Sequence, residues 1–108
     1  MGRDITKKQM KAQQGEADAV RMYNRLARKV EGVSDALAFL RLAGDEQRHE
    51  NICASLTGKT VKASPVKAIM VPLMYRCLGK EKTYNIIASA EYDAAKAYEE
   101  VIADFPEL

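Results

Sequence analysis

The 108-residue chain predicts an all-α helix bundle: three long helices and a short crossover helix. Three observations carry that expectation. The composition is rich in alanine, leucine, lysine, glutamate and arginine, with no tryptophan and only three prolines, a bias toward helix. Gly32, Gly58 and Gly79 each follow an apolar-periodic stretch, where helix C-caps place glycine. Apolar residues recur at steps of three and four, the period of a helix with one buried face.

The first helix is expected from about Ile5 to Val30, with the stripe Ala12, Glu16, Ala19, Tyr23, Leu26 and Val30. The second starts at Ser34, a good N-cap, and ends near Leu56; its stripe is Asp35, Phe39, Leu42, Glu46, His49, Cys53 and Leu56. A shorter helix starts at Ser64-Pro65, cap then first-turn proline, and reaches Leu78, with Pro72 inside it. Its apolar face, Val66, Ile69, Met70, Leu73, Met74, Cys77 and Leu78, is too short for a bilayer span of roughly 20 residues. It reads as a packed crossover, with an interfacial membrane helix as the alternative. The third long helix runs from about Glu81 to Asp104, where Pro106 follows, with the stripe Tyr84, Ile87, Glu91, Ala94, Tyr98, Val101 and Phe105.

A net charge of +2 is too small to argue for nucleic acid or an anionic membrane. No apolar run marks Met1 to Lys11 as a signal peptide. Cys53 and Cys77 form no CxxC pair, so reduced thiols in the cytosol are expected rather than a disulfide scaffold or a zinc ribbon. Cys53, on the stripe of the second helix, reads as a small buried hydrophobe.

The chemistry lies where acids interrupt the apolar stripes. Each long helix aims one carboxylate at the core near its midpoint: Glu16, Glu46 and Glu91. An unpaired buried carboxylate costs several kcal/mol or takes up a proton. His49, three residues after Glu46, shares its helix face. Three carboxylates and an imidazole need a common partner, and a divalent metal supplies one. Mixed oxygen and imidazole donors suit iron, manganese or zinc. Taken alone, Glu46-x-x-His49 also fits a solvated helix face. Asp45 and Glu50 read as solvated or paired with Arg48 or Arg41, and Tyr23 and Tyr98 as core tyrosines. A metal-free interaction domain, its acids paired with Arg or Lys or kept protonated, remains open at this point.

An internal repeat weighs against the metal-free alternative. Gly15 to Tyr23 aligns with Ala90 to Tyr98 at an offset of 75 residues, and glutamate, aspartate, alanine and tyrosine coincide at four of nine positions. In the first copy Glu46, the start of Glu-x-x-His, follows Glu16 by 30 residues; in the second copy no such motif follows Glu91 before Leu108.

Gly15-Glu16, the run Ala43 to His49, and Ala90-Glu91 together resemble the rubrerythrin branch of the ferritin-like superfamily. The resemblance covers Gly15 to Leu56 and Ala90 to Leu108, with a crossover between. It implies a ferritin-like four-helix bundle in which one helix of each pair gives a glutamate and the other gives Glu-x-x-His. Carried over, Glu16, Glu46 and His49 would bind one side of a metal centre, and Glu91 would bind the other side or bridge. Iron is the implied cofactor, a di-iron pair if a second chain completes the site. The implied chemistry is peroxide reduction or ferrous iron oxidation; a non-enzymatic metal-binding module and a helical interaction module are the alternatives. The sequence departs from the pattern in three ways. It has no second Glu-x-x-His and no rubredoxin-type CxxC pairs, and Ala94 stands where many rubrerythrins carry another glutamate. The expectation is thus a single ferritin-like domain over residues 1–108 that is C-terminally incomplete, the fourth bundle helix being absent. A homodimer or larger even assembly should then cover the flank of Tyr84, Ile87, Tyr98 and Val101 and the stripe of the second helix.

Overall fold

The computed structural model describes residues 2–104. It is all-helical there: α1 spans Gly2–Ala27, α2 Val33–Thr57, α3 Val66–Leu78 and α4 Lys80–Asp104. The lengths follow the sequence expectation closely; the ends differ. Val30 lies beyond α1, in a turn whose amide donates to Leu26. Ser34 is not the cap of α2: Gly32 holds that position at φ 91°, with no side-chain cap hydrogen bond. The chain reverses too tightly after α1 for a serine to be the cap, and a left-handed φ favours glycine. Gly58 closes α2 in the left-handed region, its amide donating to Ala54, as the apolar period predicts. Pro65 is the cap position of α3, and Ser64 Oγ accepts the Val66 amide at 3.3 Å. Pro72 lies inside α3, which continues through it.

α1 and α2 form an antiparallel pair. α4 also runs against α1, so that the N-terminal ends of α2 and α4 meet, where Lys80 and Tyr84 reach Asp35. α3 packs on α1 and α4. Among the described residues, α2 and α4 never bring their Cα atoms within 8 Å of each other. They touch through side chains, such as the edge-on contact of Phe39 with Tyr84.

The core is small: Ala19, Tyr23 and Leu26 of α1, Phe39 of α2 and Ile87 of α4 lie on the predicted stripes, and Met22 and Ala43, beside those stripes, join them. Cys53 is buried, and both cysteines are free. Three expectations are corrected by packing. Leu56, placed on the α2 stripe, is 38% exposed. Ala94 is exposed on α4. The apolar face assigned to the crossover helix points outward: Val66, Ile69, Met70 and Leu73 are each at least half exposed. α3 packs instead through Ala68, Val71 and Tyr75. The flank expected to lie open on α4 is also partly closed, since Ile87 is buried and Tyr84 half-buried against Phe39. Tyr98 and Val101 as side chains, and Phe105 and the residues after it, fall outside the described residues.

A row of polar residues on α1 holds the connector between α2 and α3. Gln13 is fully buried; its amide donates to the Lys59 carbonyl at 2.8 Å and its carbonyl accepts from Thr57 Oγ1 at 2.8 Å. Gln14 donates to Lys62, Arg21 donates to Ala63, and Asp18 accepts the Ser64 amide. These bonds satisfy a connector that has no secondary structure of its own. They also leave the other face of α1 free to meet α2 and α4. Among the described residues no helix is long and apolar enough to cross a membrane.

Candidate metal centre

Glu16 comes from the middle of α1, and Glu46 and His49 from one face of α2. One donor atom from each lies within 4.8 Å of the other two. The i, i+3 spacing brings the pair on α2 together, and the antiparallel packing of α1 brings Glu16 to them. Glu16 is only 9% exposed, and its Oε2 is buried without a hydrogen-bond partner. A carboxylate in that state lacks either a proton or a cation.

The electrostatics agree with that deficit. Burial, then the charges of Glu46, Glu50 and Glu91, push the Glu16 carboxyl up to about 8. Burial and the charges of Glu91 and Asp45 push Glu46 up to about 7, with Lys67 pulling the other way. Two acids raised by desolvation and by neighbouring carboxylates mark a place where negative charge is in excess. Cys53, a turn beyond His49, is raised to about 11 by burial and by Glu16 and Glu50, so it is a protonated thiol at neutral pH in the metal-free protein.

Glu91 is the fourth residue that the sequence marks. Its field reaches Glu16 and Glu46, but it is outside the cluster of mutually close donors. Its Oε1 accepts a hydrogen bond from the hydroxyl of Tyr23, a fully buried side chain. Burial and that bond to a carboxylate keep the Tyr23 phenol protonated far above its ordinary range. Asp45 pairs with Arg48, as expected. Glu50 does not stand aside: its charge acts on Glu16 and Cys53. Its position one turn after Glu46, on the same helix face, was the available signal.

A groove of about 600 Å³ leads to this cluster, lined by α1, α3 and α4 and by Glu46 of α2, with Glu16, Glu91 and Tyr23 also among its walls. Small residues, Gly15 and Ala19 of α1 and Ala90 and Ala94 of α4, line it on both sides. The Lys8–Glu100 pair joins the same two helices at 3.7 Å.

The family model for rubrerythrin matches residues 10–107. The chain belongs to the rubrerythrin family. Comparison with curated proteins and with solved structures gives no match. Rubrerythrins are a ferritin-like di-iron family, and the residues present here fit such a metal. The donors are hard carboxylate oxygens and one imidazole, a set that suits iron, and the orphaned Glu16 oxygen has the position and charge to take one. The match also covers α3 and the connector before it.

Proposed function

We propose that this rubrerythrin-family chain holds iron through Glu16, Glu46 and His49, with Glu91 completing the charge of the centre, and that it reduces peroxide or oxidises ferrous iron there. The observation that carries the reading is the buried Glu16 oxygen without a partner, within 4.8 Å of donors from Glu46 and His49. Manganese or zinc would satisfy the same donors.

The residues have distinct parts. Glu16 and Glu46, protonated for a large share of the time near neutrality in the metal-free protein, give up those protons to the solvent as a cation takes their place. His49 offers a ring nitrogen from the same helix face as Glu46. Tyr23 holds the Glu91 carboxylate by its hydroxyl and so fixes which of its oxygens remains for the centre. Met22, Ala19 and Ile87 make the groove wall beside the centre apolar, which strengthens the charge interactions next to it. Bound iron supplies the electrons that peroxide reduction requires.

The test is stopped-flow mixing of ferrous-loaded protein with hydrogen peroxide. Peroxide should disappear at least tenfold faster than with the same iron in buffer. Traces that coincide with the buffer control would remove the enzyme reading and leave a metal-binding module.

The same reading includes a homodimer or larger even assembly. Its support is a centre whose close donors number only three among the described residues. Val33, Leu37 and Leu40 also leave an apolar line exposed on α2. Light scattering of the full chain at micromolar concentration should return an even multiple of 12.0 kDa; a compact monomer that melts cooperatively would rule the assembly out.

A further inference from the structure

Four aromatic side chains make a continuous line from the carboxylate centre to the surface. Tyr23, whose hydroxyl meets Glu91, stacks on Phe39 with ring centroids 5.8 Å apart. Phe39 meets the edge of Tyr84 at 5.3 Å, and Tyr84 stacks on Tyr75 at 6.1 Å. The line crosses all four helices. Its inner end is fully buried. At the outer end the Tyr75 hydroxyl accepts the amide of Glu31 in the exposed turn after α1, and Lys80 lies 5.7 Å above the Tyr84 ring.

The hydrogen bonds along this line are of one kind. A phenol loses an electron at moderate potential only if its proton leaves at the same time, because the phenol radical cation is a very strong acid. Tyr84 donates to Asp35 Oδ2 at 2.8 Å. Asp35 is held ionised by that bond and by Lys80 at 3.1 Å, so it is ready to receive a proton. Tyr23 faces a carboxylate in the same way. A core tyrosine needs one hydrogen-bond partner for its hydroxyl, and a backbone carbonyl would serve. Carboxylates on two tyrosines of one stacked line satisfy a second requirement.

We propose that Tyr23, Phe39, Tyr84 and Tyr75 form a one-electron path between the carboxylate centre and the surface near Lys80, with Asp35 as the proton acceptor of Tyr84. The oxidant is the peroxide of the proposed function, and the proton that Tyr23 loses with its electron passes to Glu91. When Tyr84 gives an electron inward to the Tyr23 radical, Tyr23 takes its proton back from Glu91, the Tyr84 O–H bond breaks and its proton passes to Asp35 Oδ2. The products are an intact Tyr23 phenol, a neutral Tyr84 radical and a protonated Asp35. A one-electron reductant at the surface then returns the electron, and the proton goes back to the phenolate oxygen. Phe39 is not itself oxidised; it bridges the two tyrosine rings. Such a path gives a chain without CxxC pairs a route for electrons to its centre. In that purpose the inference rests on the function proposed above, but the path belongs to the protein alone.

The experiment therefore uses the full chain without added metal. A flash-generated ruthenium(III) polypyridyl complex in solution oxidises the protein from outside, and tyrosyl radicals are followed by transient absorption and by freeze-quench electron paramagnetic resonance. Wild type should give a long-lived radical that Tyr23→Phe abolishes, although Tyr23 itself is out of reach of the oxidant. Tyr84→Phe, which keeps the ring packing, should slow the formation of that radical at least tenfold. Asp35→Asn should slow it and raise its solvent deuterium isotope effect, whereas Tyr92→Phe, on an exposed side chain away from the line, should leave it unchanged. Unaltered kinetics in Tyr84→Phe, or a wild-type radical indifferent to Tyr23→Phe, would overturn the path. Neither result depends on whether the centre binds iron.

Discussion

Replacing His49 by alanine removes most of the bound metal. His49 is the only histidine of the chain and the only nitrogen donor in the cluster with Glu16 and Glu46. Losing one of three close donors should weaken binding at least a hundredfold, about 2.7 kcal/mol. The loss leaves two carboxylates that a dication no longer bridges to an imidazole. Elemental analysis after gel filtration, with wild type prepared in parallel, measures it. Circular dichroism of the variant should match wild type, because His49 is half-buried and outside the core cluster. Equal metal content in the two proteins would remove His49 from the centre. Glu91→Gln is the informative companion. Glu91 contributes charge without belonging to the close donor set, so its replacement should cost less metal than His49→Ala does.

Replacing Glu16 by glutamine stabilises the metal-free protein and destroys its metal response. In the folded chain Glu16 holds its proton up to about 8, and Glu46 up to about 7, against an ordinary value of 4.5 for both. The native state thus binds more protons than the unfolded state across that window, and stability of the metal-free protein falls as pH rises from about 4.5 to about 8. Glutamine keeps the shape and has no charge to desolvate. The gain near neutral pH is on the order of 2–3 kcal/mol, about 10 °C in melting temperature for a chain of this size. It should vanish below about pH 4, where the carboxyl is protonated in both states. Added ferrous or zinc ion should raise the melting temperature of wild type more as pH rises, since the cation then competes with fewer protons, and should leave Glu16→Gln nearly unmoved. A variant that melts below wild type at about pH 8 without metal would show that the Glu16 carboxylate has a compensating partner within the fold. This trade of stability for a binding site is the usual condition of buried functional acids.

Much of this protein was legible in local pattern. Period and glycine punctuation mark four helices to within a few residues, because a helix buries one face and both its period and its ends are local matters. Glu46 and His49 share a face by spacing alone. Glu16 stands out because a carboxylate among Ala12, Ala19 and Tyr23 has no reason to be there unless something meets it. The repeat links Glu91 to Glu16 without any knowledge of their distance.

What local pattern cannot state is which surface each face meets. The apolar side of α3 predicts burial, yet α1 and α4 accept the narrower strip of Ala68, Val71 and Tyr75 and leave Ile69 and Leu73 outside. Gln13, polar by type, is fully buried because the connector's carbonyl and hydroxyl groups come to it from 44 and 46 residues away. Glu91 lies outside the close donor set and meets Tyr23, 68 residues earlier, through one of its oxygens. Asp35 and Tyr84 are 49 residues apart and become a hydrogen-bonded pair only when the N-terminal ends of α2 and α4 meet. Sequence by itself determined the helices and put Glu46 and His49 on one face, since those depend on neighbours within two turns. The tertiary structure alone decided the partners of those faces, because the packing of one helix on another is set by the sum of many weak contacts between residues that the chain keeps far apart.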